Sequence, residues 1–590
     1  MRKHNITMRF WRQYSIAHLG YNQPNARNKQ LILSVLNSTA TKREARDYLK
    51  KYTDETNANH CLVFVRDLLS YDHKTLSKFG QTVKRLKMLG LRPMFVIPPT
   101  TPKLILEESG LLDKLLSERS LKTTFIPDLL TKKFNGEYKT MVSFQSDNIT
   151  SENIPIIQPY IYDESTSTRF VARDKVDYFK QLITHIDCKL DKIFILNKYG
   201  GLPSGERHDN AHVFVNISQE FDSLKNSLRK EMETLTQQLS EKATTTTSKS
   251  KSLEAQDNDS DGNQLIDKIN LFLCKDKLQE ALEQYTVHLE DLCLMETALS
   301  VLSHYSTGVI TTVPAAGILT RNNPLLYNVL TDRSLISSSL PRFKRESKTE
   351  DAWYELPMNS DTPTHAADDA VFVTTVLKKG INITMFDYSL LTQENSNGLP
   401  NMPLLDRKST PEPDIPSPGK SALARKLDLN KLKAIIDQSF GRSLDLSHYL
   451  NRINGRIASI IVIGDYEGIA ILTYEGTTDR PFVYLDKFAV MPHLKGSLGI
   501  SDIIFNLMFK KFPNELLWRS RKDNVVNKWY FQRSVGVLDL AMNLGDGDQK
   551  PSTFKLFYYG DPAKNNGFDE LERLREYAFY VRDIQPSWGS

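Results

Sequence analysis

The sequence predicts an α/β protein with two domains, the second of them smaller and built on a mixed sheet. Between about residues 60 and 390, strand-like runs such as CLVFVRDLL, RPMFVIPP and DKIFILN alternate with helical runs such as KTLSKFGQTVKRLKMLG. This alternation is typical of a mostly parallel sheet covered by helices. After residue 425 the order becomes ααβββαβαβ, which indicates a separate compact domain.

Length and composition exclude several classes of protein. The 590 residues leave room for two or three domains. A net charge of +5 over that length is too small to indicate nucleic-acid binding. The four cysteines form no CxxC pair and no cluster with histidine at metal-ligand spacing, so we expect no metal site. Since no run of 18 apolar residues occurs, we expect no membrane-spanning segment.

Changes in composition set the predicted domain boundaries. The chain begins with a basic segment whose first acidic residue is Glu44, which is typical of a mitochondrial targeting peptide, with a basic tail as the alternative. The segment at 240–263 has almost no apolar content, and the segment at 397–422 is polar and rich in proline. The predicted parts are a leader at 1–25, a first domain at 26–396 with a disordered insertion at 240–263, a linker at 397–424 and a second domain at 425–590.

The segment LDKFAVMPHLKGSLGISD, residues 485–502, runs from an alternating strand through a glycine-bearing loop into a helix. Backbone N–H groups at a helix N-terminus favour an anion, because they lack partners within the helix and the helix dipole adds to their charge. An ordinary tight turn is the alternative. The junction therefore predicts either a phosphate-binding loop or a simple change of direction.

The element order, with this loop between the third strand and the next helix, resembles the GNAT acetyltransferase fold. In that fold the strand pairs with the pantetheine arm of acetyl-CoA and the loop holds its pyrophosphate. The family's small loop residues are shifted here, because their positions counted from Lys495 fall on Leu498 and Ile500. The resemblance implies that acetyl-CoA contacts Phe488, Ala489, Val490, Lys495, Gly496, Ser497, Leu498, Gly499 and Ile500.

Longer motifs point to one family. YLDKF at 484–488 and WRSRKDNVVNKWYF at 518–531 resemble the N-acetylglutamate synthases, and TATKREARDYL, GLRPMFVIPP and GGLPSGERHDNAHVF extend the resemblance to nearly the whole chain. The fungal members are mitochondrial, which implies the matrix as the location. The resemblance implies acetyl transfer from acetyl-CoA to the α-amine of L-glutamate, the first step of arginine biosynthesis, with L-arginine as inhibitor.

Glutamate carries two carboxylates and an amine, so its site needs cationic anchors. Lys487 lies on the central strand of the motif, and its alternative role is a surface ion pair with Asp486. Arg519 and Arg521 in WRSR are two further candidates, and we expect them to face opposite sides of their strand, so that only one touches glutamate. The alternative is that each arginine only solvates a strand face. The resemblance implies one more anchor, Arg442.

Two further residues match positions that the family places near the reacting atoms. Asn524 would orient the amine, and the Tyr530 phenol would donate a proton to the departing CoA thiolate. The alternative for Tyr530 is a packed aromatic face on a helix. No Ser/His/Asp constellation is present, which fits direct attack of the amine without a covalent enzyme intermediate.

The first domain resembles the amino-acid kinase fold, whose related enzyme phosphorylates N-acetylglutamate. The run VFVRDLLSYD lacks the glycines that cradle phosphate after the first strand, so we infer a pseudokinase. The resemblance implies arginine binding, a homo-oligomer and contact with acetylglutamate kinase. An acetylglutamate kinase with an appended acetyltransferase-like domain and a non-catalytic scaffold of that kinase are the alternatives.

Overall fold

The computed structural model describes residues 59–142, 144, 153–204, 211–252, 261–320, 322–336, 373–387, 427–477, 480–494, 499–542, 551–560 and 570–589. The leader predicted at 1–25 and the linker predicted at 397–424 lie outside these ranges.

The first domain is built on an eight-stranded sheet with the order β10-β12-β11-β9-β1-β2-β6-β3. All of its neighbouring strands are parallel except β11 and β12. Its strands are β1 (His60–Val65), β2 (Arg92–Val96), β3 (Lys122–Ile126), β6 (Asn153–Ile157), β9 (Leu190–Asn197), β10 (Phe214–Asn216), β11 (Thr307–Thr312) and β12 (Thr375–Lys378). A second, four-stranded sheet contains β4 (Leu130–Lys132), β5 (Tyr138–Thr140), β7 (Tyr160–Asp163) and β8 (Thr168–Val171).

Helices cover both faces of the large sheet, as the alternating sequence pattern predicted. All six residues of β1 and all eight of β9 are buried, as expected for strands with a helix layer on each side. The helices are α1 (His73–Met88), α2 (Pro102–Ser117), α3 (Lys175–His185), α4 (Ile217–Ser252), α5 (Asp261–Val301), α6 (Val313–Ala316) and α7 (Pro324–Thr331). The predicted α/β class of this domain is therefore confirmed.

The insertion predicted as disordered at 240–263 is helical where the structure describes it. Residues 240–252 continue α4, and 261–263 begin α5. The composition argument considered the segment alone, whereas here it extends two long helices that contact each other. A helix that already has a nucleus adds further residues at little cost.

The second domain has a seven-stranded mixed sheet with the order β13-β14-β15-β16-β17-β19-β18. The strands are β13 (Ile383–Asp387), β14 (Ile457–Ile463), β15 (Gly468–Gly476), β16 (Pro481–Val490), β17 (Leu516–Arg521), β18 (Gly536–Asp539) and β19 (Phe554–Tyr559). Its helices are α8 (Leu429–Phe440), α9 (Leu446–Ile453), α10 (Ile500–Lys511), α11 (Asn527–Arg533) and α12 (Leu571–Asp583). One core joins the sheet to α10 and α11, and two others join its opposite face to α8, α9 and α12.

The predicted order ααβββαβαβ is present, with three additions: β13, β18 and α12. β13 lies upstream of the predicted linker yet pairs antiparallel with β14 over five residues. The passage between the two large sheets is therefore the short segment 379–382, which differs from the boundary predicted at 397–424. Gly380 in this segment has φ +90°, and a Cβ there would overlap the Asn216 side chain.

Candidate active site

β16 and β17 are parallel neighbours that separate toward their carboxyl ends. Their backbones pair only at Tyr484 with Leu517 and at Leu485 with Trp518. β16 continues to Val490, and from Lys487 onward it pairs only with β15 within the described part of the chain. The edge of this stretch that faces away from β15 includes the predicted residues Phe488, Ala489 and Val490. It presents its backbone N–H and C=O groups to the gap between β16 and β17. Such an edge can pair with the amide groups of an extended ligand.

A β-bulge lies in β16 where the two strands separate. Lys487 pairs with Ile471 and Leu485 pairs with Leu472, so Asp486 has no counterpart on β15. A bulge redirects the side chains that follow it. Lys487 consequently lies on the sheet face covered by α8, α9 and α12, while Phe488 contacts Phe505 of α10 on the other face, with ring centroids 5.2 Å apart.

Lys487 belongs to a buried charge network. Its ammonium lies 2.9 Å from the carboxylate of Asp486, which also accepts a hydrogen bond from Arg452. Burial raises the pKa of the Asp486 carboxyl, but Lys487 and Arg452 outweigh burial and lower this pKa to about 2. Arg452 also pairs with Glu475 at 3.4 Å. Asp486 is therefore ionised at neutral pH and holds the Lys487 ammonium at the edge of the gap.

Two aromatic rings flank the same ammonium. Lys487 Nζ lies 4.6 Å from the ring centroid of Tyr449 and 5.7 Å from that of Trp588. The faces of both rings attract a cation. Because only 12% of the Lys487 side chain is exposed, the rings and Asp486 together fix the position of its charge.

The predicted phosphate loop is described only at its end. Gly499 has φ +66°, a left-handed conformation that suits glycine, and it caps the first turn of α10. Ile500 is buried, and its Cγ2 atom would lie 2.5 Å from a Cβ at Gly468, so the glycine in β15 lets the helix approach the sheet closely. Lys495, Gly496, Ser497 and Leu498 lie outside the described residues, and their roles stay predictions.

Tyr530 lies in an aromatic cluster on the α10 and α11 side of the sheet. Its ring centroid is 5.5 to 5.9 Å from those of Phe505, Trp518 and Phe557. Burial raises the pKa of its phenol above the ordinary value, so the hydroxyl keeps its proton at neutral pH. The packed aromatic face expected as an alternative is thus present, and the protonated hydroxyl remains compatible with proton donation.

The side chain of Asn524 makes two local hydrogen bonds at the entry to α11. Its amide nitrogen donates to Ser520 Oγ at 2.9 Å, and its oxygen accepts from the Val526 N–H at 3.1 Å. The second bond closes an Asx-type turn. The geometry therefore shows Asn524 shaping this turn, and its predicted role at the amine stays a prediction.

Arg519, predicted as a glutamate anchor, is occupied by the carboxyl end of α12. Its guanidinium donates to the carbonyls of Val581 at 2.6 Å and Ile584 at 2.8 Å, and it stacks on Phe554 with 4.6 Å to the ring centroid. The last carbonyls of a helix have no partners within the helix, so an arginine there supplies the hydrogen bonds that they lack. The geometry shows Arg519 holding the end of α12, and its predicted contact with glutamate stays a prediction.

Arg521 and Arg442 are exposed. The expectation that Arg519 and Arg521 face opposite sides of β17 is wrong, because residues two apart in a strand lie on the same face. Arg521 pairs with Asp523 at 3.1 Å. Arg442 follows Gly441, which ends α8 at φ +65°, in the loop that leads to α9. The structure therefore brings neither arginine into contact with Lys487.

A groove of about 830 Å³ opens on the same sheet face as Lys487, between α9 and α12. Arg452, Glu475, Tyr580 and Ile584 are among its lining residues. Sequence patterns gave no signal for this groove, because α12 was not predicted. In the described ranges, no group of three or more His, Cys, Asp or Glu side chains could hold a metal ion, and none of the helices there is long and apolar enough to cross a membrane.

Comparisons with known proteins agree with this geometry. The family model for the N-acetyltransferase domain of N-acetylglutamate synthase matches residues 419–585, which contain the separated strands and α10. An aspartate kinase from Synechocystis aligns with 28% of this chain and 34% of its own, at 9% identity and a TM-score of 0.23. The ribosomal-protein-S18-alanine N-acetyltransferase from Escherichia coli aligns with 24% of this chain and 92% of its own, at 15% identity and a TM-score of 0.17. Both TM-scores are too low to bear on the fold.

Full-length relatives give the clearest comparison. The chain is 51% identical to the mitochondrial amino-acid acetyltransferase of Kluyveromyces lactis, 52% to that of Saccharomyces cerevisiae and 46% to that of Eremothecium gossypii. Each match covers 98% of this chain and 99% of the relative. GNAT acetyltransferases take their acetyl group from acetyl-CoA, which is therefore the co-substrate. The chain belongs to the family of mitochondrial amino-acid acetyltransferases and is an acyltransferase with a GNAT domain.

Proposed function

We propose that the protein is an N-acetylglutamate synthase, which transfers acetyl from acetyl-CoA to the α-amine of L-glutamate. The match of residues 419–585 to the acetyltransferase domain of N-acetylglutamate synthase carries this proposal. The Lys487 ammonium supports it, because a carboxylate-bearing acceptor needs a fixed cation and Asp486 holds this one in place.

Acetyl-CoA would supply the acetyl thioester. The edge of β16 at Phe488–Val490 that faces away from β15 fits the amides of its pantetheine arm, and the N-terminus of α10 after Gly499 fits its pyrophosphate. The loop residues Lys495, Gly496, Ser497 and Leu498 would complete this contact.

Side chains of the protein would bind glutamate, orient it and exchange a proton with the reacting groups. Lys487 would hold a carboxylate of glutamate while the neutral amine attacks the acetyl carbonyl carbon. The new N–C bond forms as the C–S bond breaks, the amine loses a proton, and the departing thiolate gains one from the Tyr530 phenol. The amine proton then returns through water to the Tyr530 oxygen, which restores the phenol.

We assign the first domain a regulatory role. Arg66 directly follows β1, where a kinase of this fold would cradle phosphate, and it pairs with Asp291 at 2.6 Å and Glu290 at 2.9 Å. Asp291 also accepts a hydrogen bond from Asn197 at the end of β9. These contacts, of which the pair of Arg66 with Asp291 is buried, occupy the carboxyl ends of the two central strands and support a pseudokinase.

The biological setting follows from the same proposal. The protein would catalyse the first step of arginine biosynthesis in the mitochondrial matrix and be inhibited by L-arginine bound to the first domain. It would form a homo-oligomer and contact acetylglutamate kinase. The mitochondrial names of the relatives support the organelle.

The test measures CoA release from acetyl-CoA with L-glutamate, with and without L-arginine. Glutamate-dependent release that arginine suppresses supports the proposal. Aspartate, glutamine and ornithine serve as competing acceptors, and preference for one of them would contradict the assigned substrate. ATP consumption with N-acetylglutamate would instead favour the kinase, and absence of both activities would favour the scaffold.

A further inference from the structure

The chain after α12 crosses the face of the second domain that carries Lys487. We call residues 584–589 the C-terminal strap. Its Ser587 carbonyl accepts from the Asp445 N–H at 3.1 Å, and its Gly589 N–H donates to the Ser443 carbonyl at 2.9 Å. Ser587 Oγ lies 3.0 Å from His448 Nδ1. These three bonds tie the strap to the loop between α8 and α9 and to the first turn of α9.

Trp588 is the strap residue nearest the charge network. Its indole is half-buried, contacts Phe440 with ring centroids 5.1 Å apart, and lies 5.7 Å from Lys487 Nζ. Tyr449 flanks the same ammonium on another side. One part of the indole therefore packs on the domain core, while the rest forms surface next to Lys487.

Arg519 fixes the other end of the strap. Its bonds to the carbonyls of Val581 and Ile584 span the end of α12 and the first residue of the strap. Since Arg519 lies on β17, one of the two separated strands, the course of the strap is set by the same sheet that forms the gap. Ile584 and Gln585 also line the groove beside α9.

We propose that the C-terminal strap forms a wall of the acetyl-acceptor site, in which Trp588 is a specificity-determining residue and Arg519 a positioning residue. The inference rests on the proposed function, because it takes Lys487 as the anchor of the acceptor carboxylate. A rigid indole beside that anchor restricts the ammonium to one position, and a charge fixed there favours an acceptor side chain that ends in a carboxylate over its amide isostere. Acetyl-CoA, bound along β16 and α10, would not depend on the strap.

The test compares Trp588→Ala, Trp588→Phe and Arg519→Lys with the unchanged protein. Leu571→Ala is the matched control, because Leu571 is exposed at the opposite end of α12. For each variant, CoA release gives the KM for acetyl-CoA and the kcat/KM for glutamate and for glutamine. Thermal unfolding identifies any variant that does not fold.

For Trp588→Ala we expect the KM for glutamate to rise about tenfold, the scale on which a lost pocket contact acts. Its preference for glutamate over glutamine should fall, while the KM for acetyl-CoA stays the same. Trp588→Phe should recover most of both properties. Arg519→Lys keeps one donor but loses the fork that spans two carbonyls, so it should raise the KM for glutamate with little change in the KM for acetyl-CoA.

An unchanged acceptor preference and an unchanged KM for glutamate in folded Trp588→Ala would overturn the inference. If that variant does not fold, Trp588→Leu, which stays apolar but removes the aromatic ring, is measured in its place, and an unchanged acceptor preference there overturns the inference as well. An unchanged protein that acetylates a different amino acid would contradict the proposed function alone. The strap is then tested with that amino acid.

Discussion

The ammonium of Lys487 lies 2.9 Å from the carboxylate of Asp486, its neighbour in the chain. Adjacent strand residues normally point to opposite faces of a sheet, and the bulge at Asp486 allows this pair to meet. The pair lies where β16 leaves β17, so a buried anion holds a cation beside the gap.

Replacing Lys487 with Met should weaken acceptor binding selectively. The variant keeps an apolar stem and removes the charge, so it deletes a charge-assisted contact worth about 1.5 to 3 kcal/mol. We expect the KM for glutamate to rise by roughly 10- to 100-fold, with little change in the KM for acetyl-CoA. Lys431→Met is the control, because it removes an exposed ion pair with Asp465 in the same domain. Equal effects on both substrates would contradict the assignment of Lys487.

Replacing Tyr530 with Phe should lower kcat and leave both KM values nearly unchanged. The phenyl ring preserves the contacts with Trp518 and Phe557, so only the proton donor is lost. General acid catalysis of this kind contributes about 10²- to 10⁴-fold. Tyr559→Phe removes a hydroxyl from an equally buried tyrosine of the same cluster and should retain activity. A Tyr530→Phe variant with normal kcat would return Tyr530 to a packing role.

Stability should fall as the pH drops from 6.5 toward 4 because of His288. This residue is buried, and its Nδ1 atom has no hydrogen-bond partner among the described residues. Burial first, and then the nearby Arg66, lower the pKa of His288 from 6.5 to about 4. The unfolded chain therefore takes up a proton in this range that the folded chain does not. This difference lowers the free energy of unfolding by up to about 3 kcal/mol at pH 4.

The measurement is the thermal unfolding temperature between pH 7.5 and 4.5. His288→Phe removes the titrating group and should flatten the decline, whereas His73→Gln, at an exposed position, should not. Parallel declines for His288→Phe and the unchanged protein would show that other groups dominate in this range.

A fragment that begins at Lys379 should be more stable than one that begins at Leu427. The longer fragment contains β13, which pairs with β14 over five residues and buries Phe386. Thermal unfolding of both fragments measures the difference in stability. Phe386→Ala in the longer fragment should lower its free energy of unfolding by about 3 kcal/mol. Equal stability of the two fragments would show that β13 is dispensable. Under the proposed function, both should acetylate glutamate and ignore arginine.

The parts of the fold that rest on local patterns were predictable from the sequence. The run LDKFAV alternates as a strand should, and the glycine after it marks the turn into α10, so the strand and helix of the site were placed correctly. β13 was missed as part of this domain because ITMFD is short and a long segment separates it from β14. Its pairing is a long-range contact that no local pattern records.

The candidate site was less predictable, for a similar reason. Arg519 was predicted as a cationic anchor from its place in WRSR, and no local pattern indicated that it also holds the end of α12. Its partners Val581 and Ile584 lie more than sixty residues further along the chain. Trp588 gave no signal, since its position depends on α12 and on the hydrogen bonds of Ser587 and Gly589. Side chains whose partners come from distant elements require the folded structure.

The segment 388–426 connects β13 to α8 along the chain, and both of these elements belong to the second domain. A protease cut within it would therefore not release the second domain from the first. β13 would remain paired with β14 through backbone hydrogen bonds, while the covalent path between the domains runs through 379–382. Two polypeptides divided in this segment, produced separately and mixed, should associate through that strand pair and regain acetyltransferase activity as a split enzyme.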